Sequence, residues 1–360
     1  MNTLVIIGNG FDIAHGLKTK YSEFFLWYLN DISKKLNSDK KYHDPLITIS
    51  KFGAFHDSFF DVKDISDFKR IYNEGEGKFY STKFSEYLFN HTNDPIWVDL
   101  EYAYFNSLTE IYSDYFEKYK SVIPPSRTEL INLAIEEVRK LNNICIFLKS
   151  KLEEYLLTID SLTKEVNSEI LQHFTQEFSI ASDIPKGVVS PIMDANLILN
   201  FNYTSTLEVY KQELSGYNLN INYIHGKLKD ELNPLVFGYG DEVNPYYKLI
   251  ENLNNNEFLN NFKSFSYFKT ENYIKLINFL NGGNFKVLIM GHSCGLSDRV
   301  LLNSIFENRN CRGIKIFYHK KSLTENDFFE KTQEISRHFN NKEKMREKIT
   351  PFFKSSPLIS

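Results

Sequence analysis

Four consecutive apolar residues, Leu4-Val5-Ile6-Ile7, run straight into Gly8-Asn9-Gly10-Phe11-Asp12-Ile13-Ala14-His15-Gly16. An unbroken apolar run is what a strand covered on both faces needs. Two glycines one residue apart then allow a tight turn into a helix. Such a turn can aim backbone N–H groups at one point, where an anion or a nucleotide phosphate sits. The chain must therefore begin as the strand–turn–helix unit of an α/β fold. The glycines themselves are open to two readings, a ligand cradle or a turn that merely needs them.

Strand-like sequence returns at residues 196–201, 220–224, 235–237, 286–290 and 314–318, separated by helical segments. That alternation predicts a Rossmann-like α/β core, a mostly parallel sheet with helices on both faces. Tyr21 to Leu36 carries Phe24, Phe25, Tyr28, Leu29 and Ile32 at helical spacing. Between 38 and 188 glycines are few and helical periodicity is long, in Trp97-Val98-Asp99-Leu100-Glu101 through Tyr119 and again over 129–177, with Pro124-Pro125 as a break. The expected organisation is a discontinuous nucleotide-binding core of 1–37 with 189–320, a large helical insertion of 38–188, and a charged helix with a loose tail over 321–360. The Asn-rich stretch 242–283 is expected to cover an edge or the mouth of a pocket.

Bulk properties narrow the partners. The net charge of −4 is spread along the chain, so nucleic acid is not indicated and no anionic surface is favoured. No apolar run approaches the ~18–20 residues that span a bilayer, and no secretory leader is visible, which points to a cytoplasmic protein without a membrane partner. Cys145, Cys294 and Cys311 form no Cys-x-x-Cys pair, so a structural zinc site is not expected and the thiols are read as reduced.

In open α/β sheets ligands bind beyond the carboxyl ends of the strands. Four such tips are polar here: Gly8 to Asp12, Asn200 to Glu208, His225-Gly226, and Gly291-His292-Ser293-Cys294-Gly295-Leu296-Ser297-Asp298. Asn202 either makes turn hydrogen bonds or offers its amide to a ribose hydroxyl or a water, while Thr204-Ser205-Thr206 can cap the next helix. His225 is either an ordinary end-of-strand residue or the best general-base candidate among the nine histidines, with Gly226 allowing close approach of a ligand. Asp12 is expected to cap a helix, bind a hydroxyl or hold a metal ion. Gly291-x-Ser293-x-Gly295 has the form of a nucleophile elbow, but only His319 and His338 follow it, and the alternative is a phosphate or adenosine contact. A Gly-Lys-Ser/Thr phosphate loop is missing, and the acidic residue of a dehydrogenase fingerprint, ~20 residues past the glycines, is missing too.

With these tips in order, the chain resembles the AbiH family of bacterial phage-defence proteins. The resemblance rests on Ile6-Ile7-Gly8-Asn9-Gly10-Phe11-Asp12-Ile13-Ala14-His15-Gly16-Leu17-Lys18-Thr19-Lys20-Tyr21, Trp97 to Glu101, Asn200-Phe201-Asn202-Tyr203-Thr204, Ile224-His225-Gly226, and Gly291 to Asp298. More distantly, the order is similar to sirtuin-like domains of bacterial defence NAD hydrolases. Thr204 stands where that wider group has aspartate, and Phe11-Asp12 replaces a smaller neutral pair. The cysteine pairs of a deacetylase zinc module are absent.

The resemblance implies an abortive-infection effector that binds NAD or a related nucleotide and hydrolyses the nicotinamide–ribose bond, with Asn202 and His225 as the catalytic pair. Gly8, Gly10, Gly291 and Ser293 become nucleotide contacts. Asn9, Asp12, Gly16, Tyr203, Thr204, Gly226, His292 and Asp298 complete the ligand-binding set, and no separate cofactor or metal is expected. Partners in this reading are the nucleotide and a phage-derived or host trigger, with the insertion as a lid or an oligomer contact. Two alternatives stand beside it: a non-catalytic nucleotide sensor, and a serine esterase using Ser293. A metal nuclease built on Asp12, Asp241 and Glu242 has no spacing in its favour.

Overall fold

The computed structural model describes residues 1–39, 41–49, 79–81, 84, 88, 98–117, 127–179 and 195–360. Trp97 and Pro124-Pro125 lie outside the described residues. In chain order the elements begin with β1 (Asn2–Ile7), α1 (Asn9–Ala14), α2 (Tyr21–Asp39), β2 (Tyr42–His43), β3 (Ile47–Ile49) and β4 (Phe79–Ser81). There follow α3 (Val98–Tyr112), α4 (Arg127–Asp160), α5 (Ser168–Ser179), β5 (Asn196–Asn200) and β6 (Leu219–Tyr223). Next come α6 (Pro245–Glu251), α7 (Lys263–Ser266), α8 (Asn272–Asn281), β7 (Phe285–Met290), α9 (Arg299–Phe306) and β8 (Cys311–Tyr318). The chain closes with α10 (Phe328–Ser336), α11 (Lys342–Lys348) and β9 (Ser356–Pro357).

The chain divides into two compact units, one of residues 1–18, 156–236 and 263–360, the other of 19–155 and 237–262. These bounds differ from the sequence expectation. They assign α2 and residues 237–262 to the second unit, and they assign the end of α4, α5 and the C-terminal segment to the first.

The first unit holds a six-stranded, wholly parallel sheet in the order β6-β5-β1-β7-β8-β9. Counted along the chain within this sheet, that is the order 3-2-1-4-5-6 of doubly wound nucleotide folds, and direction reverses between β1 and β7. Alternate residues of each strand feed opposite layers. Leu4, Ile6, Leu199, Val287, Ile289 and Ile316 pack with Leu276, Leu302, Ile305, Phe306, Phe328 and Ile335 of α8, α9 and α10. Val5, Ile7, Ile198, Leu288 and Met290 pack with Phe11, Phe174, Phe178 and Tyr210 on the other side. Each such side chain contributes roughly 1.5–3 kcal/mol by leaving water. That explains why the strands carry apolar runs rather than alternating ones.

Two expectations need correction. Residues 235–237 are not a strand, because the Val236 N–H is bonded to the His225 carbonyl in a loop. The tail is not loose: β9 pairs in parallel with β8, and Leu358 N–H donates to Tyr318 O.

In the second unit, the stretch expected to be helical also contains the antiparallel sheet β2-β3-β4. Its first turn is organised by Asp44, which accepts from the hydroxyls of Tyr28 and Tyr42 and from the N–H groups of Leu46 and Ile47. The predicted apolar face of α2 is buried, with Tyr28 edge-on to Phe147 and Phe24 against Tyr155. Phe105 of α3 stacks on Tyr239 at 4.2 Å between ring centroids.

Candidate functional site

The carboxyl ends of β6, β5, β1 and β7 lie side by side, so the four polar tips are neighbours. Asn202 donates from Nδ2 to the Gly8 carbonyl at 3.0 Å, and Gly10 N–H donates to the Gly291 carbonyl at 2.7 Å. His225 Nε2 lies 3.2 Å from Asp298 Oδ1. Thr204 Oγ1 donates to Asp12 Oδ2 at 2.7 Å.

The glycines serve these loop–loop contacts. A Cβ on Gly10 would lie 2.8 Å from the Gly291 Cα and carbonyl oxygen, and one on Gly291, at φ +74°, would lie 2.2 Å from the Phe11 nitrogen. A Cβ on Gly8 would strike the backbone of His292, and one on Gly226 would strike the Pro234 carbonyl. The N–H groups of Gly8, Gly10 and Phe11 donate to Met290, Gly291 and Gly8 carbonyls. These three N–H groups are therefore engaged within the chain, and the Pro234 backbone approaches Gly226. Gly16, at φ +75° with open space where its Cβ would be, ends α1 in the left-handed conformation that favours glycine.

The second tip is braced from α4. Ser205 donates through N–H and Oγ to Asp160 Oδ1, which also pairs with Lys164 at 3.0 Å. Ser205, at the N-cap of the short helix that follows, makes no side-chain cap bond, and neither Thr204 nor Thr206 stands at that position. Their hydroxyls instead surround Asp12. Burial pushes the Asp12 carboxyl up to about 6, against the lowering effect of the two threonines, and its Oδ1 has no hydrogen-bond partner. Tyr203 donates to the Val236 carbonyl, and Asn9 opens α1.

Asp298 is the centre of the densest polar cluster. Lys263 Nζ donates to its Oδ1 at 2.8 Å, His225 Nε2 approaches the same oxygen, and His292 Nε2 lies 3.8 Å from Oδ2. Burial by itself would raise this carboxyl, but Lys263, then His225 and His292, hold it well below the usual carboxylate range. An ionised carboxylate only accepts, so Nε2 of His225 presents a proton to it. Tyr267 Oη is 3.3 Å from the same Nε2. Cys294 N–H donates to His292 Nδ1 at 2.9 Å, so His292 carries its proton on Nε2, and burial pushes its pKa down to about 3. Phe201 stands edge-on to both rings, with centroids 4.8 Å from His225 and 4.3 Å from His292. The turn bearing His292 is strained, since Cys294 has φ +58°, a conformation that costs a non-glycine residue roughly 1–2 kcal/mol.

Sequence reasoning missed Lys263, Tyr267 and Phe201. The i, i+4 spacing of Lys263 and Tyr267 on a short helical turn was the available signal. The nucleophile-elbow reading of Ser293 gains nothing. Among the described residues no group hydrogen-bonds its hydroxyl, and the ring of His338 is committed to the Cys294 carbonyl at 2.7 Å. No group of three or more His, Cys, Asp or Glu side chains that could hold a metal occurs among the described residues. No helix among them is long and apolar enough to cross a membrane.

Residues 4–320 match the family described as bacteriophage abortive infection AbiH, well over half of the chain. The chain belongs to the AbiH family. The match runs through all four tips of the AbiH core and ends before α10. No curated protein matches the chain. The role of this AbiH protein thus lies in phage abortive infection.

Proposed function

We propose that this AbiH protein acts in abortive infection by binding NAD or a related nucleotide at the carboxyl edge of its parallel sheet and hydrolysing the nicotinamide–ribose bond. The observation that carries the reading is the His225–Asp298 pair, buried at a tip next to Asn202. In this reading Asp298 faces Nε2 of His225 at 3.2 Å and Nδ1 acts as the base. It takes a proton from water as the water oxygen bonds to the ribose anomeric carbon and the bond to the nicotinamide nitrogen breaks. Nicotinamide leaves neutral, which reduces the need for a general acid, and positioning with base catalysis supplies the acceleration. Asn202 spends Nδ2 on Gly8, which leaves Oδ1 as an acceptor for a ribose hydroxyl or the attacking water. The reaction belongs to the cytoplasm, held in check until a phage-derived or host trigger acts, with self-association through the helical region as one means of control.

A second reading is a nucleotide sensor without turnover. Incubation of the purified protein with NAD, with and without phage lysate, separates the two. Release of nicotinamide that is lost in His225→Ala supports hydrolysis, whereas calorimetric binding without consumption supports the sensor. Neither binding nor turnover removes NAD from both readings.

A further inference from the structure

The turn of residues 291–298 contributes His292 and Asp298 to the cluster, and its backbone is strained at Cys294. Support comes from the far side. Lys331 Nζ donates to the His292 carbonyl at 3.0 Å, and His338 Nε2 donates to the Cys294 carbonyl at 2.7 Å. These two bonds grip the carbonyls that flank Ser293. Between them runs the same turn whose Cys294 N–H fixes the proton of His292.

The supporting element is itself firmly seated. Phe328 and Ile335 of α10, with Phe339 just beyond it, are buried in the layer that covers the sheet. Asn303 of α9 donates to the His338 carbonyl at 2.7 Å, tying the clamp to the helix that starts directly after Asp298. Lys331, His338 and α10 lie beyond residue 320, where the family match ends.

We propose that Lys331 and His338 are positioning residues, and that α10 with its C-terminal turn is a clamp that sets the orientation of His292 and, through Asp298, of His225. Neither residue touches reacting atoms in the mechanism above. The clamp can be tested without any activity, and only the turnover arm rests on the proposed NAD chemistry.

The test uses full-length protein with 15N-labelled histidine, and long-range 1H–15N spectra that report the tautomer of each ring. His292→Gln and His225→Gln assign the two signals. In the native chain His292 reads as the Nε2–H form. Lys331→Met and His338→Ala are expected to convert that signal to a mixture of tautomers and to shift the His225 signal. His338→Gln, which keeps a donor at the position of Nε2, is expected to restore both. Unchanged His292 and His225 signals in Lys331→Met and His338→Ala would overturn the clamp, and if His338→Ala does not fold, the partly exposed Lys331→Met decides alone. Nicotinamide release from NAD is followed in parallel, with a drop of tenfold or more expected in kcat and little change in KM. Absence of turnover in the native chain would count against the hydrolase reading and leave the spectral result standing.

Discussion

Asp298 Oδ1 receives both Lys263 Nζ, at 2.8 Å, and His225 Nε2, at 3.2 Å, in a site from which water is largely excluded. One carboxylate oxygen therefore neutralises a buried ammonium and orients an imidazole. Removing Asp298 takes away the carboxylate that both groups share, and such a loss is far more costly than the pair is favourable.

Asp298→Asn should destabilise the protein by about 3–5 kcal/mol, because the buried Lys263 ammonium then loses its carboxylate. Adding Lys263→Met should recover part of that loss. Urea unfolding of the two single variants and the double variant checks this, and strictly additive losses would refute a coupled pair.

Asp12 gives a pH dependence of opposite sign to the usual carboxylate. Its folded-state value of about 6 lies above the ordinary 3.8, so stability from this group is complete below pH 4 and is lost as pH rises through 6. The difference amounts to about 3 kcal/mol at 1.36 kcal/mol per pH unit. Asp12→Asn should therefore gain stability relative to the native chain between pH 4.5 and 7.5, read from unfolding curves at the two values. An equal difference at both would show that the carboxyl titrates normally.

His292 should stay neutral far into acid. Its value near 3 means that its ring signals should not move between pH 7.5 and 4.5 in a histidine NMR titration. Its contribution to stability is full above the ordinary 6.5 and declines as pH falls toward 3, the reverse of Asp12. A midpoint near 6.5 would indicate that the ring is solvated.

The loop glycines should separate by environment. Gly291→Ala combines a left-handed backbone with a 2.2 Å approach to the Phe11 nitrogen, and Gly10→Ala meets the Gly291 backbone at 2.8 Å. Each should cost at least about 1–3 kcal/mol through overpacking. Gly16→Ala has open space and only the backbone conformation to oppose it, for about 1 kcal/mol. Thermal unfolding ranks the three, and a Gly16 variant as damaging as Gly291→Ala would contradict the packing account.

Much of the core was legible because its signals are local. β1, β5, β6, β7 and β8 each carry an apolar run, and their parallel arrangement follows from the alternation with helices. The tips were legible because polar residues directly after such runs have few other places to go. Residues 235–237 misled because Leu235 and Val236 are buried by a loop, and burial alone does not make a ladder. β9 was missed because two residues carry no period, and β2 to β4 because short antiparallel strands are specified by partners distant in the chain.

By itself the sequence determined the strand–turn–helix opening, the parallel core and the family, since these rest on runs, periods and motif order along the chain. The tertiary structure decided which polar groups meet. Asp298 joins Lys263 to His225. The glycines let loop backbones touch, and Thr204 bonds Asp12. The physical reason is that a hydrogen-bond partner is selected by distance and desolvation in three dimensions, and neither is encoded in the spacing of residues along a chain.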